Sequence, residues 1–195
     1  MSERWVELVV TGAHGEALPF VHGWLAARGA VGPVFDAEDE GVDIASLRER
    51  VAEMIGKRET SHLLTGGASA PLVREALASD EARRLGLALT GERPLAGAAF
   101  EFHIRTQSQG QFQRLRQLLT RPPAGARLAD GAQFTEKRHD EGAEQGVYAP
   151  VTPYEGRGRG RIEGEIPAVL QLWRACQVEE LVNTGAPVLF EDSAS

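Results

Sequence analysis

Val6-Glu7-Leu8-Val9-Val10, near the start of the chain, has a counterpart 94 positions on in Phe100-Glu101-Phe102-His103-Ile104. In both stretches apolar residues recur at every second position, the pattern of a β-strand with one face in a core. The same shift of 94 carries Leu18, Val21, Trp24 and Leu25 onto Phe112, Leu115, Leu118 and Leu119, so an amphipathic helix after the strand is repeated as well. A second register, shifted by 96, lays Pro71, Val73, Ala76 and Leu77 on Pro167, Val169, Leu172 and Trp173, a helix with proline near its start in each case. A duplicated strand-and-helix unit defines an architecture, and neither copy contains a catalytic motif.

The segments between these anchors complete the pattern. In the first half, 31–35 reads as a short strand and 36–43 as an acidic turn, after which Asp43 caps a helix with the face Ile44, Leu47, Val51 and Met54. A strand over 61–65, a helix capped by Ser69 and a strand over 85–90 follow. The second half reads as a strand over 100–106, a helix over 108–120 stopped by Pro122-Pro123, and two extended stretches, 126–138 and 147–163, around the polar turn 140–146. A helix from Pro167 to about Cys176 and a strand over 187–191 close it. The expected fold is α+β: a tandem repeat of two ferredoxin-like (βαββαβ) units with antiparallel sheets. Residues 1–95 form the first, with an extra helix near 44–55, and 96–195 the second, with a long basic, glycine-rich hairpin arm over 126–165. Each unit keeps both helices on one sheet face. The other face, bearing Trp5 and Val9 in the first copy, then needs cover from the second sheet, by stacking or edge-to-edge joining, or from a second chain as a homodimer.

Composition narrows the functional classes. A net charge of −7 and a pI near 5.3 disfavour broad attraction to nucleic acid or anionic membrane. No run approaches the roughly 18 apolar residues of a membrane span, and Met1-Ser2-Glu3-Arg4-Trp5 lacks the basic start of a secretion signal. The single cysteine, Cys176, excludes an internal disulfide and a multi-cysteine metal site; its helical spacing from Val169, Leu172 and Trp173 marks it as a core thiol. A cytoplasmic protein is expected, and heavy use of Ala, Gly and Arg with only two lysines points to a GC-rich, bacterial genome. The five histidines, His14, His22, His62, His103 and His139, share no metal-ligand spacing, so neither a metal nor any other cofactor is expected.

Two stretches carry chemistry. Over 154–165, Arg157, Arg159 and Arg161 alternate with Gly156, Gly158 and Gly160 behind Tyr154. In an extended segment the arginines share one side, and the glycines leave room for a backbone or flat ligand on the other. Guanidinium forks bind carboxylate or phosphate, so the arm reads as an anion site, and as a hairpin whose arginines pair with Glu155, Glu163 and Glu165 if no ligand is involved. On the strand 100–106, Glu101, His103 and Arg105 line the face opposite the core, able to hold a polar ligand or move a proton, or to act as an ordinary solvated face. Between 102 and 129 lie Arg105, Arg114, Arg116, Arg121 and Arg127 with no acid in that stretch, without the interleaved aromatics of single-stranded RNA platforms.

The architecture resembles tandem ferredoxin-like proteins in general, a group that includes small-molecule sensors, vitamin-precursor binders and CRISPR RNA-processing endonucleases with a glycine-rich loop near the C-terminus. The arm at 156–164 occupies a comparable place to that loop, while the net acidity and the lack of a histidine base weigh against the endonuclease. The leading expectation is a non-catalytic binding or regulatory module that engages an anionic small molecule or an acidic protein surface through Arg157, Arg159 and Arg161 with Tyr154 and His139, and with Glu101, His103 and Arg105 as the second candidate cluster. The alternatives are an RNA-binding or RNA-processing protein, and a structural protein that dimerises through a bare sheet face. Phosphate-tracking RNA binding would fall steeply with salt; a dimer would be disturbed at Trp5 or Val9 and be indifferent to Arg159→Ala.

Overall fold

A computed structural model of the chain describes residues 4–12, 15–43, 59–137, 154–178 and 182–191. The helix expected around Ile44, Leu47, Val51 and Met54 and the turn 140–146 lie outside the described residues. The fold is α+β with antiparallel strand ladders, and the chain divides into two compact units, Met1–Ala98 with Val188–Ser195, and Ala99–Pro187. No described helix is long and apolar enough to cross a membrane.

The first unit runs β1 (Trp5–Gly12), α1 (Ala17–Ala26), β2 (Val34–Asp36), β3 (Glu59–Gly66), α2 (Ala70–Ala78), α3 (Asp80–Arg84) and the first half of β4 (Ala88–Thr106). Its strands lie in the order β2-β3-β1-β4. Leu8 and Val10 of β1 join Leu63, Val21, Trp24, Leu25, Val73 and Leu77 in the core beneath the helices. α1 ends where Ala30 N–H donates to Leu25 O, with Gly29 at φ +65, the left-handed turn that glycine makes without strain. Ser69 stands at the N-cap of α2 but its side chain accepts no cap bond; it packs instead against Gly32, where a Cβ would collide with it. The cap that forms is one helix later, where Ser79 Oγ accepts from Ala82 N–H and starts α3, a short helix the sequence reading passed over. On the second face of this sheet Trp5, Leu64 and Leu95 are buried and Trp5 meets Phe35 with ring centroids 5.2 Å apart. Trp5 is therefore covered, 6% exposed, while Val9 on the same face is partly buried.

β4 is one strand of 19 residues where two, 85–90 and 100–106, were expected. Pro94 does not divide it, since proline's fixed φ fits extended backbone and removes one ladder donor only; it lies opposite Val6 of β1. The last strand, β9 (Val188–Glu191), also pairs with β4 and belongs to the first unit.

The second unit takes the rest of β4, then α4 (Gln109–Thr120), β5 (Ala126–Leu128), β6 (Gln133–Lys137), β7 (Glu155–Gly164), α5 (Ile166–Val178) and β8 (Val182–Thr184). β4 lies between β8 and β7, and β7 pairs with β6 along Glu155–Arg159 and with β5 along Ile162–Gly164. The strand opposite β7 is thus interrupted at Ala129, whose N–H donates to Arg161 O, and at Gly131, with φ +88. Ser108 Oγ caps α4 by accepting from Gln111 N–H. Phe102, Ile104, Phe112, Leu115, Leu119, Ile162, Val169, Leu172 and the thiol of Cys176 are all buried.

The glycines of β7 serve this core. A Cβ on Gly156 would lie 2.6 Å from the Phe112 ring, one on Gly158 3.0 Å from Phe134, and one on Gly160 2.7 Å from Phe102. Phe102 and Phe134 stack at 5.9 Å, and Phe112 meets Phe134 edge-on at 6.4 Å. The space expected for a partner backbone or flat ligand is filled by the unit's own phenylalanines.

Candidate functional site

Because β7 turns its glycines inward, Arg157, Arg159 and Arg161 all point outward. The alternation of β4 sends Phe102 and Ile104 into the core and leaves Glu101, His103 and Arg105 exposed. On β6, Phe134 faces the core and Gln133, Thr135 and Lys137 face out. The two candidate clusters, far apart in the sequence, therefore meet on one surface. They border an open concavity of about 570 Å³ lined by His103, Ile104, Arg105, Gln133, Thr135, Arg157, Gly158 and Arg159.

Within this surface Glu155 Oε1 accepts from Arg157 Nε and Nη2 at 2.9 and 2.7 Å and lies 3.3 Å from Arg105 Nε. The hydrogen bond from Arg157 holds the Glu155 carboxyl below the usual carboxylate range. Arg159 Nε donates to Gln133 Oε1 at 3.1 Å. Arg161 pairs with Glu163 at 3.6 Å, and Glu163 also receives Arg127. Among the described residues of the exposed face six cations, Arg105, Arg127, Lys137, Arg157, Arg159 and Arg161, stand against three carboxylates, Glu101, Glu155 and Glu163. Such an excess of guanidinium forks, well exposed at Arg105, Arg157 and Arg161 (79, 57 and 48%), is chemistry for holding carboxylate or phosphate.

Not every candidate joins it. Tyr154 lies on the other face, its hydroxyl donating to Glu136 Oε1 at 3.0 Å and its ring edge-on to Phe112, alongside Gln113 and Arg116 of α4. Glu101 is on the exposed face but outside the concavity, and His139 lies outside the described residues. Among the described residues no group of His, Cys, Asp and Glu is placed to hold a metal ion.

A second polar constellation, in the first unit, went unread. His62 Nδ1 is 2.6 Å from Glu7 Oε1, and Arg93 donates to Glu7 Oε2 at 2.6 Å; Glu7 and His62 are 3 and 5% exposed. Burial pushes the Glu7 carboxyl up, but the hydrogen bond from His62 and the charge of Arg93 outweigh it and hold the group below the usual range. The register of β1 sets Glu7 beside Leu64 of β3 and Arg93 of β4. With Glu7 and His62 closed off from solvent and Arg93 one-third exposed, the trio is built as a structural polar cluster.

No family model and no curated protein matches the chain. Among solved structures it is similar to an unknown protein from Galdieria sulphuraria, with 14% identity, a TM-score of 0.30 and coverage of 97% of this chain and 98% of the other. A candidate glycine cleavage system transcriptional repressor is similar at 10% identity and a TM-score of 0.26, over 98% and 100% of the two chains. At these scores neither likeness bears on function, which rests on the site.

Proposed function

We propose that the chain is a non-catalytic binding or regulatory module that takes an anionic small molecule on the exposed sheet face of its second unit. Arg157 and Arg159 are the principal contacts, Arg105 and His103 complete the pocket wall, and Arg161 flanks it. The carrying observation is the meeting of these side chains, from β4 and β7, around one concavity. Two guanidinium-bearing strands joined side by side give an anion several charge-assisted hydrogen bonds at once. That face carries no Phe, Tyr or Trp side chain among the described residues, so it lacks the large aromatic platforms on which successive bases stack. The reading of the chain as two ferredoxin-like units is supported by the order of elements and by the strand orders β2-β3-β1-β4 in one unit and β8-β4-β7 with β5 and β6 in the other.

Calorimetric titration of the full chain with inorganic phosphate and with citrate tests the proposal. Binding that weakens about tenfold or more in Arg157→Gln and Arg159→Gln, and falls gently with salt, is the expected result. Anion binding untouched by both substitutions would refute it.

A further inference from the structure

The cations of this face are arranged in repeating rows. The register of β6 on β7 sets Thr135 opposite Arg157 and Gln133 opposite Arg159. On the β4 side, the Gly158 position meets Ile104 and the Gly160 position meets Phe102, which aligns Arg105 with Arg157 and His103 with Arg159. Glu155, reached by both Arg105 and Arg157, fits the same alignment. Each row thus crosses three strands with a nitrogen base from β4, an arginine from β7 and a neutral hydrogen-bonding side chain from β6. The rows are two residues apart along the strands, which is about 7 Å.

The rows beyond them hold carboxylates. On one side Glu155 stands opposite Lys137 and also pairs with Arg105 and Arg157, leaving two of these three cations uncompensated; on the other Arg161 is paired with Glu163, and the same alignment brings Glu101 beside it. The excess positive charge is therefore two rows long. A polyanion running along β7 would meet carboxylates at both ends, whereas a short molecule with two acid groups would fit between them.

We infer that the ligand is a small dianion whose two acidic groups, phosphate or carboxylate, lie about 7 Å apart, one seated on the Arg105–Arg157–Thr135 row and one on the His103–Arg159–Gln133 row. This inference rests on the anion-binding reading above and adds to it the spacing and valence of the ligand. Both rows engaged at once make the second contact intramolecular, so a matched dianion gains affinity that two separate monoanions do not.

The test is calorimetric titration of the full chain with methylphosphonate and with α,ω-alkane bisphosphonates of increasing linker length, beside a single-stranded oligouridylate. The expected result is an optimum at the linker that sets the two phosphorus atoms about 7 Å apart, at least about tenfold tighter than methylphosphonate. Arg157→Gln and Arg159→Gln should each abolish that optimum and leave methylphosphonate bound at the remaining row, with unchanged melting temperatures showing both variants folded. Affinity that follows total charge and ignores linker length, while still depending on Arg157 and Arg159, would overturn the two-row inference and leave the anion site standing. Failure of every phosphonate to bind would overturn both. Oligouridylate binding tighter than the best bisphosphonate and lost in Arg157→Gln would overturn the claim of a short ligand.

Discussion

Glu7 shows how a buried charge is tolerated in this chain. Its carboxylate is almost fully removed from water and stays ionised because His62 and Arg93 supply partners for both oxygens. Breaking a buried pair costs more than the pair itself contributes, because the survivors are stranded. Glu7→Ala is expected to lower unfolding stability by about 3 kcal/mol, near the bottom of the range for such losses because Arg93, one-third exposed, can turn to solvent; urea denaturation measures it. The sign with pH follows from the lowered pKa. The folded state holds fewer protons than the unfolded one, so Glu7's contribution is fully present above its unfolded value of 4.5 and is lost as pH falls through its lower folded value. Wild type and Glu7→Gln should therefore differ in stability at neutral pH and converge in acid, as thermal melts from pH 7 to 3 will show. At the site, Glu155 occupies Arg157 and Arg105 as an internal counter-ion. Its removal in Glu155→Gln is expected to raise phosphate affinity several-fold, roughly 3- to 10-fold, and an unchanged or weakened affinity would count against its place in the pocket.

At the scale of elements, β7 has two faces with two employments. Its glycines admit the rings of Phe102, Phe112 and Phe134, and its arginines face out. Gly158→Ala would press a methyl against Phe134 and Ile104 at 3.0–3.1 Å, and overpacking of this kind costs about 1–3 kcal/mol; the prediction is a lower melting temperature with phosphate binding retained. The core-facing strands were legible because periodicity is local: Val6, Leu8 and Val10, like Phe102 and Ile104, declare their core face within a few residues. What was not legible is register. The arginines of β7 and the His103–Arg105 stretch of β4 were each visible as candidates, but their meeting depends on which strands become neighbours. The Glu7–His62–Arg93 trio joins residues 55 and 86 positions apart and leaves no local trace. The glycines were misread for the same reason, since an alternating Gly–Arg run does not say whether the approaching group is a ligand or a phenylalanine from the chain's own core. Tyr154 was placed with the arginines by proximity in sequence, while strand alternation puts it on the opposite face.

For the whole molecule, an acidic chain of net charge −7 concentrates an arginine excess on one sheet face of one unit. That contrast favours a small anion in a local site over extended nucleic acid, because the long-range field of the molecule repels polyanions while a short-range cluster still binds. Affinity for phosphate is expected to fall only mildly between low and physiological salt, with a log–log slope near that of one or two neutralised charges and far from that of many phosphate contacts. The most direct measurement is a phosphate titration followed by the backbone amide signals of the isotopically labelled full chain. Shifts concentrated at His103 to Arg105, Gln133 to Thr135 and Arg157 to Arg159, saturating together and absent in Arg157→Gln, are predicted. Shifts that never saturate, or that map to residues away from these three strands, would contradict the site.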